Sequence, residues 1–201
     1  MWKPYLKVLA QEAGQALNVL DRFHITQHLN QAVDEVRRAE SSRLRTHSRY
    51  EAQKLKHMRW PLLRKGSRVR GKARSRLNAL LAGKLATARA WELREAFGHL
   101  WKYKSALWAE GFLDVWCKRA MRSRLEPMRK MARMLPAHEP LLMNWFRARG
   151  ELSSAAVESL NDKAGVVTRR FYGFRTYKGI GLALYHTLGR LPEPETTHRF
   201  R

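Results

Sequence analysis

Acidic residues, cysteine and long apolar runs are scarce in this chain of 201 residues. The 17 Asp and Glu are outnumbered by 40 Lys and Arg, which gives a formal net charge of +23. The single cysteine, Cys117, excludes a disulfide within the chain and a cysteine-based zinc site, and it is typical of the reducing cytoplasm. Since no apolar run reaches about 18 residues and the start lacks a signal-peptide pattern, no membrane span is predicted.

The excess of positive charge is the first indication of a partner. Like charges repel one another in a compact fold, and a polyanion relieves that repulsion. Nucleic acid is the commonest polyanionic partner, so contact with DNA or RNA is predicted. A basic protein without such a partner is the alternative. An apolar content of 44% with seven Trp is enough to bury a core.

Helical periodicity dominates the chain. Helices are predicted at residues 1–11 and from residue 25 to residue 148, among them a long one that starts near Leu77 and one that Pro127 bends or divides. The run 16–20 resembles a buried strand, although a lone strand has no neighbour to pair with. Large side chains at helical spacing are interpreted as core rather than as base-stacking platforms. They are Trp91, Trp101, Trp108, Trp116, Trp145, Met121, Met128, Met131 and Met134.

The most basic part of the chain is residues 43–76, where thirteen Lys or Arg face a single acid, Glu51. Two glycines and several small polar residues in "RKGSRVRGKARSRL" predict a flexible basic loop between helices. Its cations are candidate contacts for the DNA backbone. They are Arg64, Lys65, Arg68, Arg70 and Lys72.

A small acidic cluster precedes a basic and aromatic run near the end of the chain. Glu158, Asn161 and Asp162 lie three and four residues apart on a predicted helix and so share one face. A carboxylate beside basic residues is able to hold Mg²⁺ next to a DNA phosphate. A solvated acid paired with a nearby cation is the plainer alternative, and it is favoured on these residues alone. The candidate backbone contacts here are Lys163, Arg169, Arg170 and Arg175.

A second polar pair occurs in "DRFH", after the strand-like run. Asp21 and His24 have the residue types to orient a metal or a metal-bound group. A hydrogen-bonded structural pair explains them at least as well. His28, one helical turn later, is interpreted as an exposed helix residue.

Three blocks of the sequence together resemble a known family. "VLDRFHITQHLNQAVDEVRR", "LWKYKSALWAEGFLDVWCKRAMRSRLEPMRKMARML" and "VESLNDKAGVVTRRFYGFRTY" resemble, in this order, the carboxyl-terminal part of bacterial insertion-sequence transposases of the ISL-three group. The resemblance runs from Trp2 to about Leu191. It implies DDE-class chemistry, in which two Asp and one Glu of an RNase H-like core hold two Mg²⁺ ions for DNA strand cleavage and transfer.

The resemblance also implies roles for single residues. Glu158 would be the catalytic Glu and a metal ligand, although Ser159 stands where the family has Gly. Asp21 and His24 match an Asp-x-x-His signature that opens a helical insertion, and Asn161 completes the Glu-x-x-Asn block. Asp21 would be at most a weak metal ligand.

The implied fold is mainly α: a helical insertion plus a remnant of an RNase H-like α/β core with at most one or two short strands. The core remnant would be residues 1–24 and the insertion 25–148, with its basic loop at 43–76. The Glu-bearing helix and the basic, aromatic segment that closes the core would be residues 149–191, followed by a flexible tail, 192–201.

Two catalytic Asp of the family would precede Met1. The chain is therefore expected to be a truncated transposase that binds Mg²⁺ weakly or not at all and is inactive alone. The implied partners are DNA and the full-length transposase or a second copy, on the bacterial nucleoid in the cytoplasm. A non-enzymatic basic nucleic-acid-binding protein, or an inhibitor of the full-length transposase, is the alternative.

Overall fold

Every regular element in the described part of the chain is a helix, which confirms the prediction of a mainly α protein. The computed structural model describes residues 11, 14–15, 17–20, 22–148, 155–170 and 176–189, apart from the side chains of 155–158 and 170. The chain divides into two compact units, Met1–Leu152 and Ser153–Arg201. None of the described helices combines the length and the apolar character needed to cross a bilayer.

The first unit contains eight α-helices within residues 22–148, numbered here in chain order. They are α1 (Arg22–His47), α2 (Arg49–Leu55), α3 (Arg59–Leu63), α4 (Gly71–Leu81), α5 (Ala86–Phe97), α6 (Ala106–Arg122), α7 (Glu126–Met134) and α8 (Glu139–Arg147). Short 3-10 turns occur at Gly66–Arg68, Leu100–Lys102 and Pro136–His138. The described part of the second unit contains α9 (Ala155–Arg170) and α10 (Tyr177–Leu188).

Helix α1 lies at the centre of the first unit. Ile25, Leu29, Val33 and Val36 are buried on one face, as their helical spacing predicts. The helix packs against α2, α3, α5 and α7. Because burial of one Leu or Ile side chain contributes about 1.5–3 kcal/mol, this stripe is a main source of stability.

A buried carboxylate joins α1 to the beginning of α5. Glu40 accepts hydrogen bonds from Ala86 N, Thr87 N and Thr87 Oγ1, each at 2.7 Å. The first N–H groups of a helix have no partner within it, and Leu85 before this helix provides no side-chain cap. Glu40 therefore caps a helix that begins 46 residues later in the chain.

The aromatic core confirms most of the interpretation of the tryptophans. Trp116 is buried with its ring centre 4.9 Å from that of Phe97, and its Nε1 donates to Leu93 O at 2.9 Å. Trp101 contacts Trp145 edge-on, with 5.0 Å between ring centres. Trp91 is also buried.

Trp108 contradicts the prediction that its ring belongs to the core, because the side chain is 70% exposed. The core face of α6 consists of Ala109, Leu113, Trp116, Cys117 and Ala120. Trp108 comes one residue before Ala109, about 100° around the helix from it, and lies outside this face.

The strand predicted at residues 16–20 is wrong for the four residues 17–20 that the structure describes, which have no regular structure. Leu20 N donates to Leu141 O at 3.0 Å, and Asn144 Nδ2 donates to Asn18 O at 2.8 Å. A strand needs a neighbouring strand for its backbone groups, and here α8 provides the partners instead. The helix predicted at residues 1–11 falls outside the described part except for Gln11.

Most of residues 43–76, where the basic loop is predicted, are helical, and residues 64–70 form a connection between helices, as the prediction has it. Helix α1 continues to His47, α2 and α3 follow it, and α4 begins at Gly71. Leu55, Met58 and Leu62 are buried, so apolar anchors recur between the charges. Charge dominates the composition of this segment, but these three side chains determine how it packs.

Two helix boundaries depend on glycine and proline. The long helix predicted from Leu77 is two helices, α4 and α5, which are separated at residues 82–85 around Gly83. Pro127 lies in the first turn of α7 and divides it from α6, one of the two outcomes that the sequence predicts.

The second unit contains a helical pair, because α9 and α10 pack against each other. Val167 is buried, whereas Val166 is 42% exposed. Thr176 caps α10, since its Oγ1 accepts a hydrogen bond from Gly179 N at 3.2 Å.

Candidate nucleic-acid interface

Arg94 on α5 is buried and fixes the chain that comes after α3. Its Nη2 donates to Leu63 O at 2.6 Å and to Arg64 O at 3.0 Å, while its Nε donates to Asn30 Oδ1 on α1 at 3.0 Å. Its Nη1 donates to the adjacent Glu95 carboxylate. Burial lowers the pKa of Arg94, and the charge of Glu95 acts in the opposite direction. The buried guanidinium of Arg94 therefore positions the backbone of Leu63 and Arg64, after which the exposed cations follow.

The backbone of Gly66 is held on both sides. Gly66 N donates to Glu95 Oε2 at 3.0 Å, and Gly66 O accepts from Arg74 Nη1 at 3.0 Å. A Cβ atom at this position would lie 2.8 Å from Glu95 Oε2 and 2.9 Å from Trp91 Cζ2, so glycine is required. Val69 is 1% exposed. Residues 64–70 are therefore anchored, and we call them the docked basic segment.

The charged side chains of the docked basic segment are exposed. None of them forms an ion pair with any residue that the structure describes. Free cations on a fixed backbone are suited to neutralise phosphates, because little conformational freedom is lost on binding. The exposed residues are Arg64, Lys65, Arg68 and Arg70, together with Lys72 in the first turn of α4.

A cleft of about 330 Å³ adjoins this segment, and we call it the Trp101 cleft. Its cationic lining includes Arg22, Lys65, Arg68 and Lys102. The guanidinium carbon of Arg22 lies 5.7 Å from the centre of the Trp101 ring. The only carboxylate in the lining is Glu95, which is already bonded to Arg94. The cleft extends the positive surface from the docked basic segment to the start of α1.

A second basic depression lies between the end of α1 and α2, with a volume of about 540 Å³. We call it the α1–α2 groove. Arg45, Arg49, Gln53, Lys56 and His57 line it, and no carboxylate does. None of these five was a candidate from the sequence. The thirteen cations of residues 43–76 were the signal in the sequence that could have indicated this groove. Which of these cations lie on the same surface depends on the break between α1 and α2.

The catalytic candidate lies on α9. Glu158 belongs to this helix by its backbone, and its side chain is outside what the structure describes. Asn161 and Asp162 come next on the same helix and are exposed. The helix continues through Gly165 to Arg170.

The cations after this acidic cluster are only partly described. Lys163 is exposed. Arg169 is exposed as well, and its Nε donates to Gly165 O at 2.9 Å, which folds the side chain along its own helix. The side chain of Arg170 and the whole of Arg175 lie outside the described residues.

The "DRFH" motif is described only in part, since Asp21 lies outside the described residues. His24 is exposed in the first turn of α1, with its ring 6.1 Å from that of Phe23. His28 is exposed too, as its interpretation predicts. Partial burial lowers the pKa of His28, and the charge of His24 lowers it further.

The described residues contain no group of three His, Cys, Asp or Glu placed to hold a metal ion. Glu110 and Glu139 come together, and burial followed by the hydrogen bond with Glu110 raises the pKa of Glu139. Burial likewise raises the pKa of Cys117 to about 11, so this thiol stays protonated at neutral pH.

Comparison with known proteins agrees with the resemblance seen in the three sequence blocks. The model of the ISL3 family of DDE transposases, described as transposase, matches residues 1–182. The chain is 28% identical over 176 residues to the transposase for insertion sequence element IS1001 of Bordetella parapertussis. This alignment covers 87% of the chain and 43% of that relative, so the chain spans less than half of the relative's length. No solved structure matches the chain.

A helical protein with this surface and these matches falls in the class of transposases. The chain belongs to the ISL3 family of DDE transposases. The resemblance of the three blocks to this family is thereby confirmed.

Proposed function

We infer that the chain binds the DNA backbone during transposition of an insertion sequence. The docked basic segment carries this proposal, because its backbone is fixed by Arg94 and Glu95 while its cations are exposed and unpaired within the described residues. Binding through phosphates supplies affinity without sequence preference. In this proposal residues 25–148 are the helical insertion of the family, and their basic surface holds DNA for the catalytic core.

The family chemistry implies a divalent metal ion, and we propose Mg²⁺ as that ion. We propose strand cleavage and transfer as the reaction of the family. Glu158 is the proposed catalytic carboxylate, Asp21 and His24 form the proposed signature, and Asn161 belongs to the block of the catalytic Glu. When bound, the metal would supply activation of a water or a 3′-hydroxyl and stabilisation of the leaving oxygen. One assigned carboxylate holds Mg²⁺ weakly, so we propose that this chain alone binds DNA without cutting it.

Binding is tested by fluorescence anisotropy with a labelled duplex at several salt concentrations. Each phosphate contact contributes about −0.9 to the slope of log affinity against log salt. The Arg64→Gln, Arg68→Gln, Arg70→Gln triple variant should therefore lose roughly 2 to 3 units of that slope.

The matched control removes three exposed cations from α6 and α7. Arg119→Gln, Arg122→Gln and Lys130→Gln together change the net charge equally and should leave most of the slope in place. Equal losses in both triple variants would mean that net charge, not the docked basic segment, determines binding.

The chemical part is tested on supercoiled plasmid with the whole chain and Mg²⁺. The expected result is no nicking. Nicking that disappears in a Glu158→Gln variant would overturn the proposal that the chain alone is inactive, and it would leave the proposal of DNA binding intact.

A further inference from the structure

A second lobe of about 280 Å³ adjoins the α1–α2 groove. This lobe is lined by Tyr50 and Lys54 of α2 and by Arg76 of α4. The two lobes share three lining residues at the end of α2, so they lie next to each other. The shared residues are Gln53, Lys56 and His57.

Four of the Lys and Arg residues that line the two lobes have no acidic partner in the described part of the chain. Arg45, Arg49 and Lys56 are exposed and form no ion pair there, and Arg76 is exposed in the second lobe. Arg37, by contrast, also lines the first lobe but bonds Asp34 with 2.7 Å between its Nη2 and the carboxylate.

An exposed aromatic ring lies at the second lobe. Tyr50 is 73% exposed, which leaves the ring face that Lys54 does not cover available for stacking. The ammonium of Lys54 lies 4.6 Å from the ring centre, and Glu51 accepts a hydrogen bond from the same ammonium at 2.8 Å. A positive groove with an aromatic platform is the arrangement that binds single-stranded nucleic acid.

His57, at the junction of the lobes, has a φ of 60°, in the left-handed region that favours glycine. It lies immediately after Lys56, the C-cap residue of α2. Glycine is the usual residue at this position of a helix end. A histidine there, which lines both lobes, adopts an unfavourable backbone conformation.

We propose that the α1–α2 groove binds single-stranded DNA, with phosphates along Arg45, Arg49 and Lys56 and one base stacked on Tyr50. A single strand is favoured over a duplex because its bases are free to stack on the exposed Tyr50 ring. The proposal rests on DNA as the ligand of this chain. It adds a second site that distinguishes a displaced strand from the duplex.

The test is an anisotropy titration of the full chain with a fluorescein-labelled 12-nucleotide oligo(dT), which cannot form a duplex. Stacking of one base contributes about 5- to 150-fold in affinity, so Tyr50→Ala should weaken binding by that factor and Tyr50→Phe, which keeps a ring, should not. A loss below twofold in Tyr50→Ala would overturn the proposal.

Charge variants locate the phosphates. Arg45→Gln with Arg49→Gln should weaken oligo(dT) binding more than Arg64→Gln with Arg68→Gln, and the order should reverse for duplex DNA. The same order for both ligands would overturn a separate single-strand site while leaving duplex binding in place. Binding to neither ligand would overturn the proposed function as well.

Two further measurements test the remaining assignments. His57→Gly should keep or raise the thermal midpoint and still weaken oligo(dT) binding; unchanged binding would remove His57 from the site. Tighter binding of oligo(U) than of oligo(dT) would overturn DNA as the ligand of the groove.

Discussion

The docked basic segment and the α1–α2 groove present the same charge on different supports. The backbone of the segment is held by side chains from another helix, Arg94 and Glu95, over irregular structure. The groove lies mainly on α1 and α2, whose backbone hydrogen bonds are formed within each helix. Two equally basic stretches can thus form surfaces of two kinds. The docked basic segment depends on tertiary contacts from another helix, and the groove does not.

The buried Arg94 and the exposed arginines of the docked basic segment have separate roles. Arg94 is 7% exposed and its bonds are within the fold, whereas Arg64 is exposed and available for a ligand. Substitution of the buried residue should therefore affect the segment and spare the groove.

The largest effect is expected for Arg94→Ala. Removal of one partner of a buried, hydrogen-bonded charge costs about 3–5 kcal/mol, because the carbonyls of Leu63 and Arg64 and the Glu95 carboxylate lose their donor. Urea unfolding measures this change, and Glu92→Ala, at an exposed position on the same helix, should stay within about 0.5 kcal/mol.

DNA binding by the Arg94→Ala variant, measured in conditions where it remains folded, also tests the comparison of the docked basic segment with the groove. Duplex affinity should fall, since the segment loses its anchor, while oligo(dT) affinity should change little. Equal losses for both ligands would show that the two surfaces share one support.

A smaller effect is expected for Gly66→Ala. The new methyl group would lie within 3 Å of Glu95 and Trp91, and overpacking of this kind typically costs about 1–3 kcal/mol. Gly111→Ala on α6 is the matched control, since a Cβ atom there meets nothing within 4 Å. Replacing this helical glycine should stabilise the protein by about 0.5–1 kcal/mol. Thermal unfolding of both variants measures the contrast, and destabilisation by Gly111→Ala alone would contradict it.

The smallest effect concerns the edge of the groove. Glu51→Gln removes the carboxylate that accepts a hydrogen bond from Lys54, a bond that raises the pKa of this lysine. Because ion pairs near the protein surface are weak, oligo(dT) binding should strengthen by less than about threefold and duplex binding should not change. Weaker oligo(dT) binding in this variant would mean that Glu51 holds Lys54 in its binding position.

Much of the fold was available from the sequence. The spacing of Leu29, Val33 and Val36 predicts the buried face of α1, and Pro127 predicts a helix boundary. These features are local, because a helix completes its hydrogen bonds within one segment. The family was available as well, since three blocks in a fixed order are more specific than any single motif.

The errors occurred where a residue's role depends on a distant partner. Residues 17–20 have the composition of a strand but bond to α8, and Trp108 has the spacing of the core face but is exposed. The docked basic segment has the composition of a loop, and nothing in residues 64–70 indicates that Arg94 and Glu95 hold it.

The sequence by itself determined a helical, strongly basic protein of a transposase family, because periodicity, charge and motif order are properties of the chain alone. Only the tertiary structure decided which cations face solvent and which are buried and hydrogen-bonded within the fold. The physical reason is that burial and hydrogen bonding depend on atoms far apart in sequence, such as the guanidinium of Arg94 and the carbonyl of Leu63. Such pairs leave no local pattern.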